Sequence, residues 1–363
     1  MRSGFLPARI VHVHPSRACN LACAHCYSSS SPAYRTSLDL GLLLGALQGL
    51  REEGYEVLSV SGGEPLVYRD LPGLLKGAAK IGYRNHLVTN GLLLTRQRLE
   101  LLQDYLQLVA VSFDGARDVH NRVRGRVDAF DKANAALDVL SESKVPFALA
   151  FGVSRFSLPD VPWAYERARE VGASLVHLRP LVSTGRAQNL GSEWFLTQDD
   201  CARLVVLGAV LGPTTIEHPR VQVDLVAVEE LAGASNDLLS SQFKAPVRLL
   251  SDFVNPLVIN DAGALVPFTY DIHAAYRITN LTADLSQAIE RYKEDGALRI
   301  AGLLQAAFGN ASDGGRQYLD WYAHLTNVSL ELGAMHGYRW TAAPLEPASS
   351  PSTTSTSTRS TPA

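Results

Sequence analysis

Three of the four cysteines in the chain lie within eight residues, at positions 19, 23 and 26, and the fourth is the distant Cys201. A structural zinc site or a closed iron–sulfur cluster normally takes four protein ligands. Three thiolates on a four-iron cluster leave one iron free to bind another molecule. The spacing of Cys19, Cys23 and Cys26 therefore predicts a catalytic cluster.

Other uses of clustered cysteines remain open alternatives. The first residues contain two arginines and a proline and no secretory apolar region, which favours a cytoplasmic, reducing location and disfavours disulfides. A structural zinc would need a fourth ligand, for which His25 is the only local candidate. A redox-active Cys-x-x-Cys pair of Cys23 and Cys26 would leave the presence of Cys19 unexplained.

The segment CNLACAHCY at 19–27 follows a short predicted strand and resembles the cysteine loop of the radical S-adenosylmethionine (radical SAM) enzymes, in the form common among peptide- and tetrapyrrole-modifying members. The resemblance implies one [4Fe-4S] cluster held by Cys19, Cys23 and Cys26, with S-adenosylmethionine (AdoMet) bound to the open iron. It also implies an external electron donor such as flavodoxin or ferredoxin. Reductive cleavage of AdoMet would give a 5'-deoxyadenosyl radical that abstracts hydrogen from a substrate carbon.

Strand and helix patterns alternate along the first two hundred residues. Such alternation predicts a parallel α/β sheet with right-handed crossovers, and six steps predict a partial (βα)6 TIM-like barrel whose chemistry gathers at the carboxyl ends of the strands. The predicted strands are 10–14, 56–61, 86–89, 108–113, 147–153 and 175–178. The predicted helices are 38–50 (capped by Thr36 or Ser37), 71–81, 95–105, 128–143, 160–171 and 197–211. His12 and His14 alternate with valines on the first strand and share one face, which could point into the barrel.

The loop after the second strand reads Gly62-Gly63-Glu64-Pro65. Two glycines allow the backbone to approach a ligand closely, and Glu64 offers an acceptor for an ammonium group. The resemblance implies that this motif contacts the methionyl amino group of AdoMet. A plain turn is the alternative.

Later loops carry further candidate contacts for AdoMet. Asn90 follows the third strand, in a segment that lies near the nucleoside in similar proteins, although Asn-Gly is also a common turn. After the fourth strand, the stretch from Ser112 and Asp114 to Arg124 resembles a motif of the same subgroup. Ser112 and Arg124, and more weakly Ser154, are candidates to hold the methionyl carboxylate. A helix cap with solvated arginines is the alternative.

Three further residues, Tyr27, His120 and Arg179, are places to look for a catalytic proton donor.

Composition agrees with an enzyme of this size. The 363 residues are 46% hydrophobic with a net charge of −3, so the chain can bury a large core and nucleic acid is not an expected partner. No uninterrupted apolar stretch of membrane-spanning length occurs, so no membrane span is expected. We predict a barrel core at 1–190, a degenerate α+β extension at 191–342 and a disordered Ser/Thr/Pro-rich tail at 343–363.

The second half resembles the C-terminal extension called SPASM or twitch, whose cysteines hold auxiliary clusters in relatives. Residues 256–268 read as its hairpin, with Asp261-Ala-Gly263 as the turn and Asn280 and Leu281 near its end. A relative would have cysteine where Phe268 stands. Cys201 is alone on a predicted helix and reads as a buried small hydrophobe. We therefore expect a single cluster.

The sequence leaves the substrate open. The resemblance favours maturation of a ribosomally made peptide. The absence of an evident peptide-recognition domain favours the alternative, tailoring of a sugar, nucleoside or amino acid in natural product biosynthesis. A remote alternative is a non-enzymatic metal-binding scaffold.

Overall fold

A ten-stranded sheet forms the centre of the computed structural model, which describes residues 8–212, 219–231, 248–282 and 285–335. The predicted tail at 343–363 lies outside these residues. Along the sheet the strands follow the order β11-β10-β9-β1-β2-β3-β4-β5-β6-β7. The strands are β1 Ile10–Val13, β2 Val57–Val60, β3 Arg84–Thr89, β4 Leu108–Phe113, β5 Phe147–Val153, β6 Leu175–Pro180, β7 Arg220–Val223, β9 Leu257–Ile259, β10 Ala264–Pro267 and β11 Thr279–Asn280. Strands β8 Val226–Ala227 and β12 Tyr318–Leu319 form a separate pair.

Helices connect the parallel strands. They are α1 Leu40–Glu52, α2 Leu71–Ile81, α3 Arg96–Leu102, α4 Arg117–Arg124, α5 Ala129–Ser141, α6 Val161–Val171 and α7 Gln198–Leu211, followed by α8 Ser286–Asn310 and α9 Trp321–Met335. The leucines of α1 and α2 point inward at helical spacing, so that Leu43, Leu47, Leu74 and Leu75 are fully buried. None of the described helices has the length and apolar character needed to cross a bilayer.

Neighbouring strands from β1 to β7 pair in parallel, and along most of them buried and partly exposed residues alternate. On β4, Val109, Val111 and Phe113 are buried against the helices. Ser112 lies on the opposite face, which is partly open to solvent because it lines the barrel interior. The predicted partial barrel is confirmed.

The predicted hairpin at 256–268 is also confirmed, because β9 and β10 pair antiparallel and β11 adds to β10. Strand β9 pairs in parallel with β1, so the hairpin extends the barrel sheet at the β1 edge. The division at residue 190 stays a prediction.

Three local expectations need correction. The side chain of Asp39, rather than Thr36 or Ser37, caps α1 by accepting from the Leu42 N–H at 2.9 Å. Helix α4 was not predicted, because its largely polar sequence does not mark an apolar face. The long α8 and α9 were not predicted either, so the extension is more helical than expected.

Candidate active site

The cysteine loop, residues 19–27, follows β1 at the carboxyl edge of the sheet. Cys19, Cys23 and Cys26 are free thiols, and the Leu21 N–H donates to the Cys19 sulfur at 3.4 Å. Burial raises the pKa of Cys19 to about 12, and the charges of Cys23 and Cys26 act in the same direction. Burial also raises the pKa of Cys23. Three free thiols on one short loop, two of them with pKa values raised by burial, fit a metal group that stabilises all three thiolates at once.

Hydrogen-bond donors surround the sulfurs. Besides the Leu21 N–H, the guanidinium of Arg124 lies 4.0 Å from the Cys23 sulfur and the amide of Asn90 lies 3.9 Å from the Cys19 sulfur. Donors of this kind stabilise cluster-bound thiolates. The three free thiols of the loop and the donors beside them fit a cluster. Within the described part of the chain, no three His, Cys, Asp or Glu side chains form a group compact enough for a single metal ion.

The loop after β2 lies against the start of the cysteine loop. The Gly63 N–H donates to the Ser16 carbonyl at 2.9 Å, and the Glu64 N–H donates to the Ala18 carbonyl at 3.0 Å. A Cβ on Gly63 would lie 2.1 Å from the Ala18 oxygen. Gly62 has a φ of +99°, which favours glycine. In this structure the glycines allow close approach to the chain that leads into Cys19.

The carboxylate of Glu64 joins two loops of the site. It accepts from the Thr89 hydroxyl at 2.7 Å, the Asn90 N–H at 2.8 Å and the Leu66 N–H at 3.1 Å. Burial raises its pKa, and these hydrogen bonds oppose the rise. Glu64 also caps the short 3-10 helix that begins at Pro65, so the turn that was the alternative is present as well. Its role as an ammonium acceptor stays a prediction.

The loop after β3 reaches the cysteine loop through Asn90. Its amide nitrogen donates to the Asn20 side-chain oxygen at 2.7 Å, and its own oxygen accepts from the Leu92 N–H at 3.0 Å. Asn90 is buried. Its position beside Cys19 follows from the strand order, since β3 lies two strands from β1.

The loop after β4 contributes a buried ion pair. Asp114 accepts from the Nε of Arg124 and lies 2.7 Å from the Nε2 of His25. Although burial opposes it, the charge of Arg124, followed by His25, holds the pKa of Asp114 well below its usual range. Arg124 is only 8% exposed, so the alternative of a solvated arginine is wrong. His120 is fully buried beneath Asp114, and burial lowers its pKa to about 4.

A small recess beside the cysteine loop collects two of the predicted AdoMet contacts. Asp114 and Ser154 line it with His25, Val123, Gly152, Leu181 and Trp194. The Ser154 hydroxyl also lies 3.1 Å from that of Ser157. Ser112 is not part of the recess lining, and it pairs in register with Ala150 on the inner face of the barrel.

The loop after β6 holds the cysteine loop from a further side. The Nε of Arg186 donates to the Cys23 carbonyl at 2.8 Å, and its Nη2 donates to the Ser30 carbonyl at 2.7 Å. A Cβ on Gly185 would lie 2.1 Å from the Tyr27 carbonyl. This role was not predicted from the sequence. The sequence signal for this role is the pair Gly185-Arg186, because glycine allows close approach of the backbone and the arginine guanidinium can donate to two acceptors at once.

An aromatic cluster links the cysteine loop to the C-terminal hairpin. The rings of His14 and Tyr270 stack with centroids 4.9 Å apart, and the Tyr27 hydroxyl lies 3.3 Å from the Nε2 of His14. Burial raises the pKa of Tyr27 to about 12. Phe268, just after β10, has a φ of +64°, an uncommon value for a bulky residue, and the chain turns there before Tyr270. The sequence did not reveal this cluster.

Comparisons with known proteins agree with this geometry. The family described as "Radical SAM superfamily" matches residues 13–162. An AdoMet-dependent heme synthase from Methanosarcina barkeri is 34% identical over 183 residues, which are 49% of this chain and 52% of that protein. The sporulation killing factor maturation protein SkfB from Bacillus subtilis is 27% identical over 173 residues, 47% of this chain and 42% of that protein.

The similarity in fold to solved structures extends beyond residues 13–162. The solved structure "Native anSMEcpe with bound AdoMet and Cp18Cys peptide" covers 91% of this chain and 98% of its own, with a TM-score of 0.62 at 17% identity. The chain spans about half the length of the curated relatives it matches. The radical SAM family uses a [4Fe-4S] cluster and AdoMet. Residues 13–162 are therefore similar to the domain that defines the radical SAM superfamily.

Proposed function

We propose that the chain is an enzyme that binds one [4Fe-4S] cluster through Cys19, Cys23 and Cys26 and AdoMet at the open iron. The observation that carries the proposal is that the loops after β3, β4 and β6 contact the cysteine loop, and the loop after β2 contacts the residues that lead into it. When bound, the cluster and AdoMet supply a 5'-deoxyadenosyl radical that abstracts hydrogen from a substrate carbon. Reduced, free cysteines suit a cytoplasmic location and a donor such as flavodoxin or ferredoxin.

The surrounding residues would position AdoMet and exclude water. Asp114 and Ser154 share a recess with His25, which supports them as contacts. The Nε of Arg124 pairs with Asp114, and the other N–H groups of its guanidinium could donate to the methionyl carboxylate of AdoMet. Ser112 is the second residue proposed to bind that carboxylate. The Gly62-Gly63-Glu64-Pro65 motif and Asn90 lie on the Cys19 side and are proposed for the methionyl amino group and the nucleoside.

We propose a ribosomally made peptide as the substrate. SkfB, one of the matched relatives, is named a maturation protein, and the anSMEcpe structure holds a bound peptide. The fold likeness to that structure covers most of this chain, including the C-terminal region. An open barrel mouth suits a substrate too large to be enclosed.

The alternative is a small-molecule substrate. The specific observation in its favour is the 34% identity to a heme synthase, which exceeds the 27% identity to SkfB. A peptide and a small molecule would meet the same cysteine loop, so the choice between them depends on residues outside the matched segment.

Anaerobic reconstitution tests the chemistry. We expect about four irons per chain and formation of 5'-deoxyadenosine from AdoMet with dithionite. Bound zinc with no cleavage of AdoMet would instead support the metal-binding scaffold.

A second experiment tests the substrate class. Deuterated peptides and small molecules suggested by neighbouring genes are incubated with the reconstituted enzyme and AdoMet. We expect a mass shift in a peptide and deuterium in 5'-deoxyadenosine. Transfer of deuterium only from small molecules would replace the peptide proposal with the alternative.

A further inference from the structure

Arg179 stands at the carboxyl end of β6, outside the segment that matches the family. Its Nε pairs with Asp224 at 3.2 Å, and the other oxygen of Asp224 lies 2.6 Å from the Nε2 of His177 and 3.1 Å from the Nε2 of Gln222. Asp224 is thereby fixed, and it holds one edge of the Arg179 guanidinium. Among the described residues, the Arg179 side chain has no other ion-pair partner.

The Arg179 side chain faces the barrel interior. On β6, Val176 and Leu178 are buried against the helices, and Arg179 follows them with its side chain on the opposite face, which it shares with His177. The 62% exposure of the Arg179 side chain therefore reflects the open barrel mouth.

An arginine whose free edge faces an open interior is suited to bind a planar anion. Arginine presents paired donors that match a carboxylate or a phosphate. The carboxylate of Asp224 lies 3.2 Å from the Arg179 Nε, so an anion bound to Arg179 would lie near its negative charge. Like charges so close disfavour a dianion more than a monoanion, which favours a carboxylate over a phosphate.

We propose that Arg179 binds a carboxylate group of the substrate at the barrel mouth, with Asp224 and His177 as positioning residues. This inference rests on the proposed function, since it names a chemical group of that substrate. A carboxylate occurs in an acidic peptide side chain, at a peptide C-terminus and in many small molecules. Arg179 would select substrates that carry one and hold them at the end of β6, whose following loop contacts the cysteine loop.

Protection from an arginine reagent tests this site without turnover. The reconstituted chain is treated with phenylglyoxal, with and without propionate, and modification of each arginine is measured by mass spectrometry after chymotryptic digestion. We expect propionate to slow modification of Arg179 at least threefold and its neutral analogue propionamide to have no effect. Arg84 is a matched internal control, because it is 58% exposed and paired with Glu56 at the opposite end of the sheet.

Further protection experiments distinguish a carboxylate from a phosphate, and a side-chain carboxylate from a peptide C-terminus or a small molecule. A peptide with one glutamate and an amidated C-terminus, and a glutamine peptide with a free C-terminus, are compared with propionate. Protection by any of the three supports the site, and the strongest protector identifies the source. Equal protection by propionamide, better protection by inorganic phosphate, or equal protection of Arg84 would overturn the proposal.

Two variants separate binding from folding. Asp224→Asn should weaken propionate protection of Arg179, because the guanidinium loses its orienting partner, while phenylglyoxal still modifies Arg84 at the wild-type rate. Once a carboxylate substrate is known, Arg179→Lys should raise KM at least fivefold with a smaller change in kcat, and should leave the KM of the amide analogue unchanged. An equal change for both substrates would contradict carboxylate binding. The protection experiment requires no AdoMet cleavage, so its failure is distinguishable from failure of the proposed function.

Discussion

The carboxylate of Asp114 lies 2.7 Å from the Nε2 of His25, a residue that stands between two cysteines of the cysteine loop. The other oxygen of Asp114 accepts from Arg124. One side chain at the end of β4 therefore links the cysteine loop to helix α4. This link explains how the polar α4, which buries little apolar surface, is held against the sheet.

The first prediction concerns this ion pair. Asp114→Asn leaves the buried Arg124 without a counter-charge, which we expect to lower the free energy of unfolding by about 3–5 kcal/mol. Urea denaturation of the chain at neutral pH measures the loss. Asp118→Asn, on the exposed face of α4, is the control and should change stability by about 0.5 kcal/mol or less. Equal stability of the two variants would show that the pair does not hold the loop.

A second prediction uses two glycines in different surroundings. A Cβ on Gly63 would lie 2.1 Å from the Ala18 oxygen, so Gly63→Ala must displace the backbone before Cys19. We expect at least a fivefold loss of iron bound on anaerobic reconstitution, measured by iron and sulfide analysis.

Gly45 is the matched control, since it lies exposed in α1 and a Cβ there meets no atom within 4 Å. Gly45→Ala should retain full iron binding and stabilise the chain by about 0.5–1 kcal/mol, because alanine loses less conformational entropy in a helix. Iron binding by Gly63→Ala at the wild-type level would contradict the close approach of the two loops.

The third prediction distinguishes the three cysteines proposed as cluster ligands from Cys201. Alanine at Cys19, Cys23 or Cys26 should abolish binding of about four irons, because each thiolate is proposed to hold a different iron. Cys201, buried on α7 and distant in sequence, should be replaceable by alanine with iron content and AdoMet cleavage retained. Loss of iron in the Cys201→Ala variant would refute the expectation of a single cluster.

Much of the barrel could be predicted from the sequence because its signals are local. Strands such as β4 and β5, with their buried apolar residues, and the leucine-rich α2 were found with nearly their observed bounds. The three cysteines and the glycine motif were visible for the same reason, since each is a short contiguous pattern. The hairpin of β9 and β10 was recognised from its Asp-Ala-Gly turn.

The rest depends on contacts between residues far apart in sequence. Nothing in the local sequence indicates that Asp224 pairs with His177, 47 residues earlier, or that Tyr270 stacks on His14. The pairing of β9 with β1 likewise joins strands that are far apart in the sequence. Such contacts arise when the sheet brings strand ends together, so they require the three-dimensional structure.

The last prediction concerns Asp271, which follows Tyr270 in the C-terminal region. Burial raises its pKa from 3.8 to about 6, so the folded chain favours the neutral acid. The cost of the buried charge is absent below pH 3.8, grows as the pH rises and is complete above about pH 6. Asp271→Asn removes that cost, so its Tm relative to the wild type should rise between about pH 4 and pH 7 and then stay level. Thermal unfolding across this range checks the result, with Asp313→Asn on an exposed turn as the control. A Tm difference that stays constant with pH would show that Asp271 is not buried as a neutral acid.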